Sequence, residues 1–209
     1  MKTISLDQRS LLAIGLLVVI LAGCAGSPPS KFYQLNPLQN MTSVTSDASP
    51  EQNLIIAIGP VRIPDYLDRP QIVTRAGKNE LKLSEFDRWA GSLENDVTRV
   101  LVEDISSLLP TDRFSVVRWI PYLESQVAAS YRVEVIVNGF EGSLGDSVLL
   151  KAQWRVFTDN RRLLLERESL IREQINGNSY EALVASMSSA LEKLSRDIAG
   201  GIGSVFRKE

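Results

Sequence analysis

The chain has 209 residues, of which 44% are hydrophobic and 23% charged, a balance typical of one globular domain with short appendages. Its formal net charge of −2 gives no indication of nucleic-acid binding, which requires a clustered basic face. The sequence contains one cysteine and no histidine, which excludes disulfides within the chain, Cys/His zinc sites and catalysis by imidazole.

Residues 1–23 have the pattern of a cleaved bacterial export signal. Lys2 and Arg9 provide a positive start, and the apolar run 11–22 is shorter than the ~20 residues that span a bilayer. The run ends in LAGC, a branched residue and two small residues before the cysteine, which is the lipobox pattern of bacterial lipoproteins. We therefore expect cleavage before Cys24, with a diacylglycerol on its sulfur, an acyl chain on its nitrogen and no other cofactor.

Residues 24–53 are expected to form a tether, with a short strand at 32–35 and a flexible loop after it. The start of this segment is small, polar and proline-bearing, and its end is rich in Ser, Thr and Asn without periodicity. Two alternatives remain for the patch at 32–35. If it docks on the domain, the domain lies close to the membrane; if it does not, the domain moves on a long tether.

A single α/β domain is expected over residues 54–209, and its strands follow from β-branched or alternating apolar runs. The predicted strands cover residues 54–63, 71–75, 80–83, 113–119, 131–138 and 148–156. Residues 161–175 are predicted as a further hairpin strand, although this run is also compatible with a helix.

Two helices are predicted from apolar residues at steps of three and four. The first runs from a Ser84 cap to a stop at Pro110, and the second starts at Asn178 or Ser179 and frays near Gly200. The order of elements predicts a two-layer sandwich, with a mixed, mostly antiparallel sheet and two long helices packed on one face.

Catalytic motifs are absent from the sequence: it has no Walker loop, no Ser-x-x-Lys and no Gly-x-Ser-x-Gly. The glycines of residues 139–145 have the wrong spacing for a dinucleotide fingerprint and are interpreted as a turn. Asp87 and Glu94, and likewise Glu103 and Asp104, are interpreted as solvated polar positions of the first helix. The chain is therefore predicted not to be an enzyme and to have no metal site.

The segment PDYLDRP at residues 64–70 is the local cluster that suggests binding. Two prolines bracket it, and Tyr and Arg are favoured at interfaces, so Asp65, Tyr66, Leu67 and Arg69 are candidate partner-binding residues. The alternative is a plain connection in which Tyr66 and Leu67 fill the edge of the core. The residues alone leave both interpretations open.

The run GPVRIPDYLDRPQIVTR at residues 59–75 resembles the signature of the PqiC/YmbA-type lipoproteins, auxiliary components of ABC-type transport systems that work with MCE-domain proteins. FYQL at 32–35 and EFDRWA at 85–90 support this resemblance. The matching segments follow one another in the same order over essentially the whole mature chain. In the C-terminal third, the resemblance is limited to the pattern of strands and a final helix.

The resemblance implies a non-enzymatic role in moving lipids between the inner and outer membranes, with an MCE-domain protein as partner and no catalytic residues to carry over. A homo-oligomeric ring is compatible with it. Alanine at position 25 implies, by the usual sorting rule of enteric-type bacteria, attachment to the periplasmic leaflet of the outer membrane. The alternatives are a structural or assembly lipoprotein, such as a pilotin or an envelope-integrity factor, and direct lipid carriage, which requires an apolar cavity of roughly 300–1,000 Å³.

Overall fold

A computed structural model of the protein describes residues 28–38, 54–110, 112–121 and 129–207, which form an eight-stranded sheet and two helices. The strands are β1 (Lys31–Tyr33), β2 (Leu54–Arg62), β3 (Gln71–Arg75), β4 (Leu81–Trp89), β5 (Phe114–Arg118), β6 (Tyr131–Gly142), β7 (Ser147–Thr158) and β8 (Leu163–Gln174). The helices are α1 (Leu93–Leu108) and α2 (Tyr180–Phe206).

The sheet is mixed and is organised around β6. One edge of β6 pairs antiparallel with β7, which pairs antiparallel with β8; the other edge pairs in parallel with β2 and, farther along, with β3. Beyond β3 lie antiparallel β4 and the short parallel strand β1, while β5 lies in parallel beside β2. The predicted α/β sandwich with a mixed sheet is confirmed.

The helices cover one face of this sheet. Trp154 on β7 is buried against α2, and a Cβ atom at Gly201 of that helix would overlap the indole ring. The predicted fraying near the glycines of α2 is therefore wrong: the helix continues to Phe206, because Ile202 and Phe206 bury their side chains beyond the glycine that admits the indole. None of the described helices combines the length and apolarity that crossing a bilayer requires.

The first predicted helix starts too early. Residues 84–89 belong to β4, and α1 begins at Leu93, where the Ser92 hydroxyl accepts a hydrogen bond from the amide of Asn95. Strand β4 pairs with β3 on one side and β1 on the other, and this pairing outweighs the helical spacing of Trp89. Ser84 hydrogen-bonds Asp87 within the strand instead of capping a helix.

Several other boundaries agree closely with the sequence. Strands β2, β3 and β5 lie within one residue of their predicted bounds, and Ser179 caps α2. The open question at 161–175 is decided in favour of a strand, β8. The turn predicted at 139–145 is shorter, because β6 continues to Gly142 through a bulge.

The patch at 32–35 docks on the domain, which settles the alternative left open by the sequence. Its strand forms slightly earlier than predicted, at Lys31–Tyr33, and pairs in parallel with the end of β4. Leu35 follows it into the core. Because these residues complete the sheet and the core, the folded unit includes the chain around residues 31–38 as well as the segment that starts at 54.

After β1, the chain crosses onto the helices and is hydrogen-bonded there. The Leu35 amide donates to Asp96 Oδ2 at 2.7 Å, and Arg99 Nη2 donates to the Leu35 carbonyl at 2.6 Å. The Leu38 amide donates to Asp104 Oδ1 at 2.8 Å. Side chains of α1 thus provide this segment with the hydrogen bonds that a neighbouring strand would otherwise make.

Asp104 is not the solvated helix residue that its position beside Glu103 suggested. Its exposure is 1%, and the Ser195 hydroxyl of α2 donates to its second oxygen at 3.0 Å. Burial raises the pKa of this carboxyl, while hydrogen bonds from Leu38 and Ser195 lower it; burial has the larger effect.

This raised pKa predicts a pH dependence of stability. The folded chain takes up a proton on Asp104 at a higher pH than the unfolded chain does, so stability increases as pH falls through the folded pKa towards the unfolded one. Relative to Asp104→Asn, the wild type should gain unfolding free energy on acidification, at most about 1.4 kcal/mol per pH unit. Urea unfolding of both proteins across the acidic range measures this difference, and a pH-independent difference would contradict the prediction.

Candidate functional site

The candidate partner-binding residues lie in the loop of residues 63–70, between β2 and β3. Both strands pair in parallel with the same edge of β6. The loop therefore connects two strands that lie one after the other along that edge. The amides of Leu67 and Asp68 donate to the Pro64 carbonyl at 2.9 and 3.2 Å, and the Trp89 amide donates to the Pro70 carbonyl at 2.8 Å. The loop is therefore a compact turn fixed at its end to β4.

The loop residues divide into buried and exposed ones. Leu67 is 2% exposed and belongs to the core, Tyr66 is half-buried, and Arg69 is partly buried. Asp65 and Asp68 are exposed. Leu67 thus fills the core, as the alternative interpretation of this segment had it, and is not available on the surface for a partner.

Tyr66 fixes the loop through the buried carboxylate of Glu141, whose exposure is 8%. The Tyr66 hydroxyl donates to Glu141 Oε2 at 2.9 Å, as does the amide of Phe140. Arg75 donates to Oε1 through Nε at 3.2 Å and through Nη2. Burial and the hydrogen bond to Glu141 raise the pKa of Tyr66 far above its ordinary value, and the bond to Glu141 raises the pKa of Arg75.

Glu141 lies on the face of the sheet that carries no helices. The next residue, Gly142, faces the helices, because a Cβ atom there would come within 2.8 Å of Leu183 Cδ1 on α2. Successive strand residues point to opposite faces, so Glu141 points away from α2. Tyr66 therefore fixes the loop to the face of the sheet that carries no helices, and this contact supports the exposed loop residues.

Two members of this cluster were not recognised in the sequence as site residues. Glu141 lay in the segment interpreted as a turn. Arg75 was the last residue both of a predicted strand and of the segment 59–75 that resembles the family. The signal that could have identified Glu141 was its alternation with the apolar Phe140, which indicates a strand rather than a turn at this point. Its partners are 75 and 66 residues away in the chain, so the pairing itself had no local signal.

The side chains around the loop interact through hydrogen bonds and an ion pair. Throughout the described ranges, no group of three or more acidic, cysteine or histidine side chains is gathered in a way that could hold a metal ion. Glu141 is occupied by Tyr66, Arg75 and the Phe140 amide, which makes the cluster a support for the loop.

A groove of about 460 Å³ lies elsewhere, at the carboxyl ends of β2 and β5 beside the start of α1. Its lining includes Arg62, Glu94, Thr98 and Arg118 among apolar residues. Direct lipid carriage requires an apolar cavity. The lining of this groove is mixed, because three of its ten residues are charged, so it is not a purely apolar cavity.

A family model described as "ABC-type transport auxiliary lipoprotein component" matches residues 33–199. The chain is 22% identical over 180 residues to the intermembrane transport lipoprotein PqiC of Escherichia coli (strain K12), covering 86% of this chain and 90% of that protein. The PqiC of Shigella flexneri matches with the same identity and coverage.

Two solved structures share the fold. One, of an uncharacterized protein, has a TM-score of 0.67 at 20% identity and covers 84% of this chain and 99% of that one. The other, a protein from Xanthomonas campestris, has a TM-score of 0.65 at 14% identity and covers 86% of this chain and 98% of that one. At these identities the likeness concerns the fold alone.

Proposed function

The chain belongs to the family of ABC-type transport auxiliary lipoproteins, and from this premise we propose that it is a non-enzymatic adaptor in an intermembrane lipid transport system. The observation that carries the proposal is the family match over residues 33–199, together with a relative named as an intermembrane transport lipoprotein. In this role the domain is held on the periplasmic leaflet of the outer membrane and contacts an MCE-domain protein. A ring of identical subunits is part of the same proposal.

Attachment through Cys24 is the first component of this function. Cys24 lies outside the described residues, seven positions before Lys31, where β1 begins. An extended chain of seven residues reaches at most about 25 Å. Several acyl chains on Cys24 would anchor the protein stably where a single chain is marginal, and the short link would keep β1 near the bilayer.

Contact with the MCE-domain partner is the second component. Asp65, Asp68 and Arg69 are the charged residues of the loop, and Tyr66 supports them through Glu141. A surface held on a rigid support loses little conformational freedom when a partner binds. We therefore assign partner contact to these three residues and give Tyr66 a positioning role.

The triple variant Asp65→Ala, Asp68→Ala and Arg69→Ala tests this assignment. We expect it to lose co-purification with the MCE-domain protein from native envelopes, because the charged contacts are gone. Its thermal unfolding should stay close to that of the wild type, because Leu67 and Tyr66 are retained.

A matched control is Asp159→Ala with Arg162→Ala, which removes exposed charges at the turn between β7 and β8. This control should co-purify normally. Unchanged co-purification of the triple variant would contradict the assignment of the loop. Recovery of envelope-assembly proteins in place of an MCE-domain protein would instead favour the structural or assembly role.

A further inference from the structure

We propose that the outer edge of the sheet at β1 rests on the membrane surface, with Phe32 inserted among the lipid headgroups, so that the domain has a fixed orientation on the bilayer. This inference rests on the lipid anchor of the proposed function. It adds a contact between the folded domain and the lipid, beyond the covalent link at Cys24.

Phe32 is an exposed aromatic side chain on an edge strand. Its exposure is 64%, although its neighbours in the chain include the docked residues Tyr33 and Leu35. The Tyr33 hydroxyl donates to Asp87 Oδ1 at 2.8 Å, and its ring packs against the core. Because strand residues alternate between faces, Phe32 points away from that core.

Two basic residues adjoin Phe32, one in the chain and one in the sheet. Lys31 precedes it and is exposed, and Arg88 is its direct register partner on β4.

This pattern suits a lipid surface. An aromatic ring flanked by Lys and Arg is typical of protein segments that lie in the membrane interface, where the ring enters the headgroup region and the cations attract anionic lipids. The acid nearest in the chain to Arg88, Asp87, is already bonded by Tyr33 and Ser84.

The position of the anchor favours the bilayer over other occupants. Phe32 is eight residues after Cys24, so it lies within about 29 Å of the residue that carries the lipid. Leu170, which is 68% exposed, lies on β8, five strands away from β1 along the sheet path and therefore about 24 Å across the sheet. Of these two apolar side chains, Phe32 is the one that the anchor holds near the membrane.

Fluorescence quenching in vesicles tests the contact. Mature, lipidated Phe32→Trp protein is reconstituted into vesicles of phosphatidylethanolamine and phosphatidylglycerol, with or without brominated acyl chains. Leu170→Trp is the matched control, because it places an indole at a similarly exposed site on the far edge. The three native tryptophans contribute the same background to both proteins.

We expect brominated lipids to quench the added indole of Phe32→Trp and to leave that of Leu170→Trp unchanged. Equal quenching in proteins that float with the vesicles would overturn this contact and leave the lipid anchor intact. Failure of both proteins to float would overturn the anchor and this inference with it. An indole that is shielded from aqueous iodide but unquenched by bromine would assign the edge to a second copy of the chain, and would also overturn the inference.

Discussion

Replacing Leu67 with alanine is expected to destabilise the domain by about 2–5 kcal/mol, the range found for leucines truncated in packed cores. Leu67 is 2% exposed and belongs to the same core as the strands and helices. The loop around it is fixed by the hydrogen bonds at Pro64 and Pro70, so it cannot easily collapse into the cavity that the truncation leaves. Urea unfolding of the two proteins measures the difference.

The adjacent exposed residue provides the control. Asp68→Ala should change the unfolding free energy by no more than about 0.5 kcal/mol, as is usual for surface substitutions. Similar stabilities of Leu67→Ala and Asp68→Ala would contradict the burial of Leu67. The contrast also affects partner tests, because loss of binding in any variant that includes Leu67 could follow from unfolding alone.

The sequence predicts the layered architecture because binary patterning is a local property. Alternating apolar residues identify strands such as β7, and apolar residues at steps of three and four identify α1 and α2. Patterning does not report which strands pair. Trp89 fits the apolar stripe of α1, and what keeps it in a strand is its pairing with Tyr33 and the hydrogen bond of its amide to the Pro70 carbonyl, both made by residues elsewhere in the chain.

The candidate loop could be found from the sequence, but the sequence did not show which of its residues are buried and which are exposed. Tyr66 and Leu67 are adjacent, and either could have been the exposed one. The outcome depends on Glu141, whose carboxylate fixes the Tyr66 hydroxyl from a strand that lies 75 residues away. The sequence shows a glycine-rich segment at that point, which by local rules reads as a turn.

The buried carboxylate of Asp104 escaped prediction for a related reason. An acid next to Glu103 on an amphipathic helix is normally solvated, and nothing nearby in the chain marks it as an acceptor. Its partners are the Leu38 amide and the Ser195 hydroxyl, which the fold brings from opposite ends of the chain. Buried polar groups of this kind become visible only when the hydrogen bonds of an irregular segment are traced to their acceptors.

Replacing Cys24 with serine, in a chain exported behind a signal peptide that is cleaved without prior lipidation, is expected to move the mature protein from the membrane fraction to the soluble periplasmic fraction. A serine oxygen is not the thiol to which the diacylglycerol is transferred, so the chain would lose its acyl groups. Each buried methylene of those groups contributes about 0.8 kcal/mol to membrane binding, and one exposed phenylalanine such as Phe32 cannot replace them. Fractionation of the cell envelope measures the change, and mass spectrometry of the N-terminal peptide checks the modification.

The folded domain itself should be unaffected by Cys24→Ser, since the docked segment begins at Lys31. Thermal unfolding of the soluble variant should therefore match that of the detergent-solubilised wild type. Because partner contact is assigned to the loop, the soluble variant should still bind the MCE-domain protein when the two are mixed, although transport in the cell should fail. A Cys24→Ser protein that stays in the membrane fraction without acyl groups would contradict the anchor, because its attachment would then depend on the polypeptide alone.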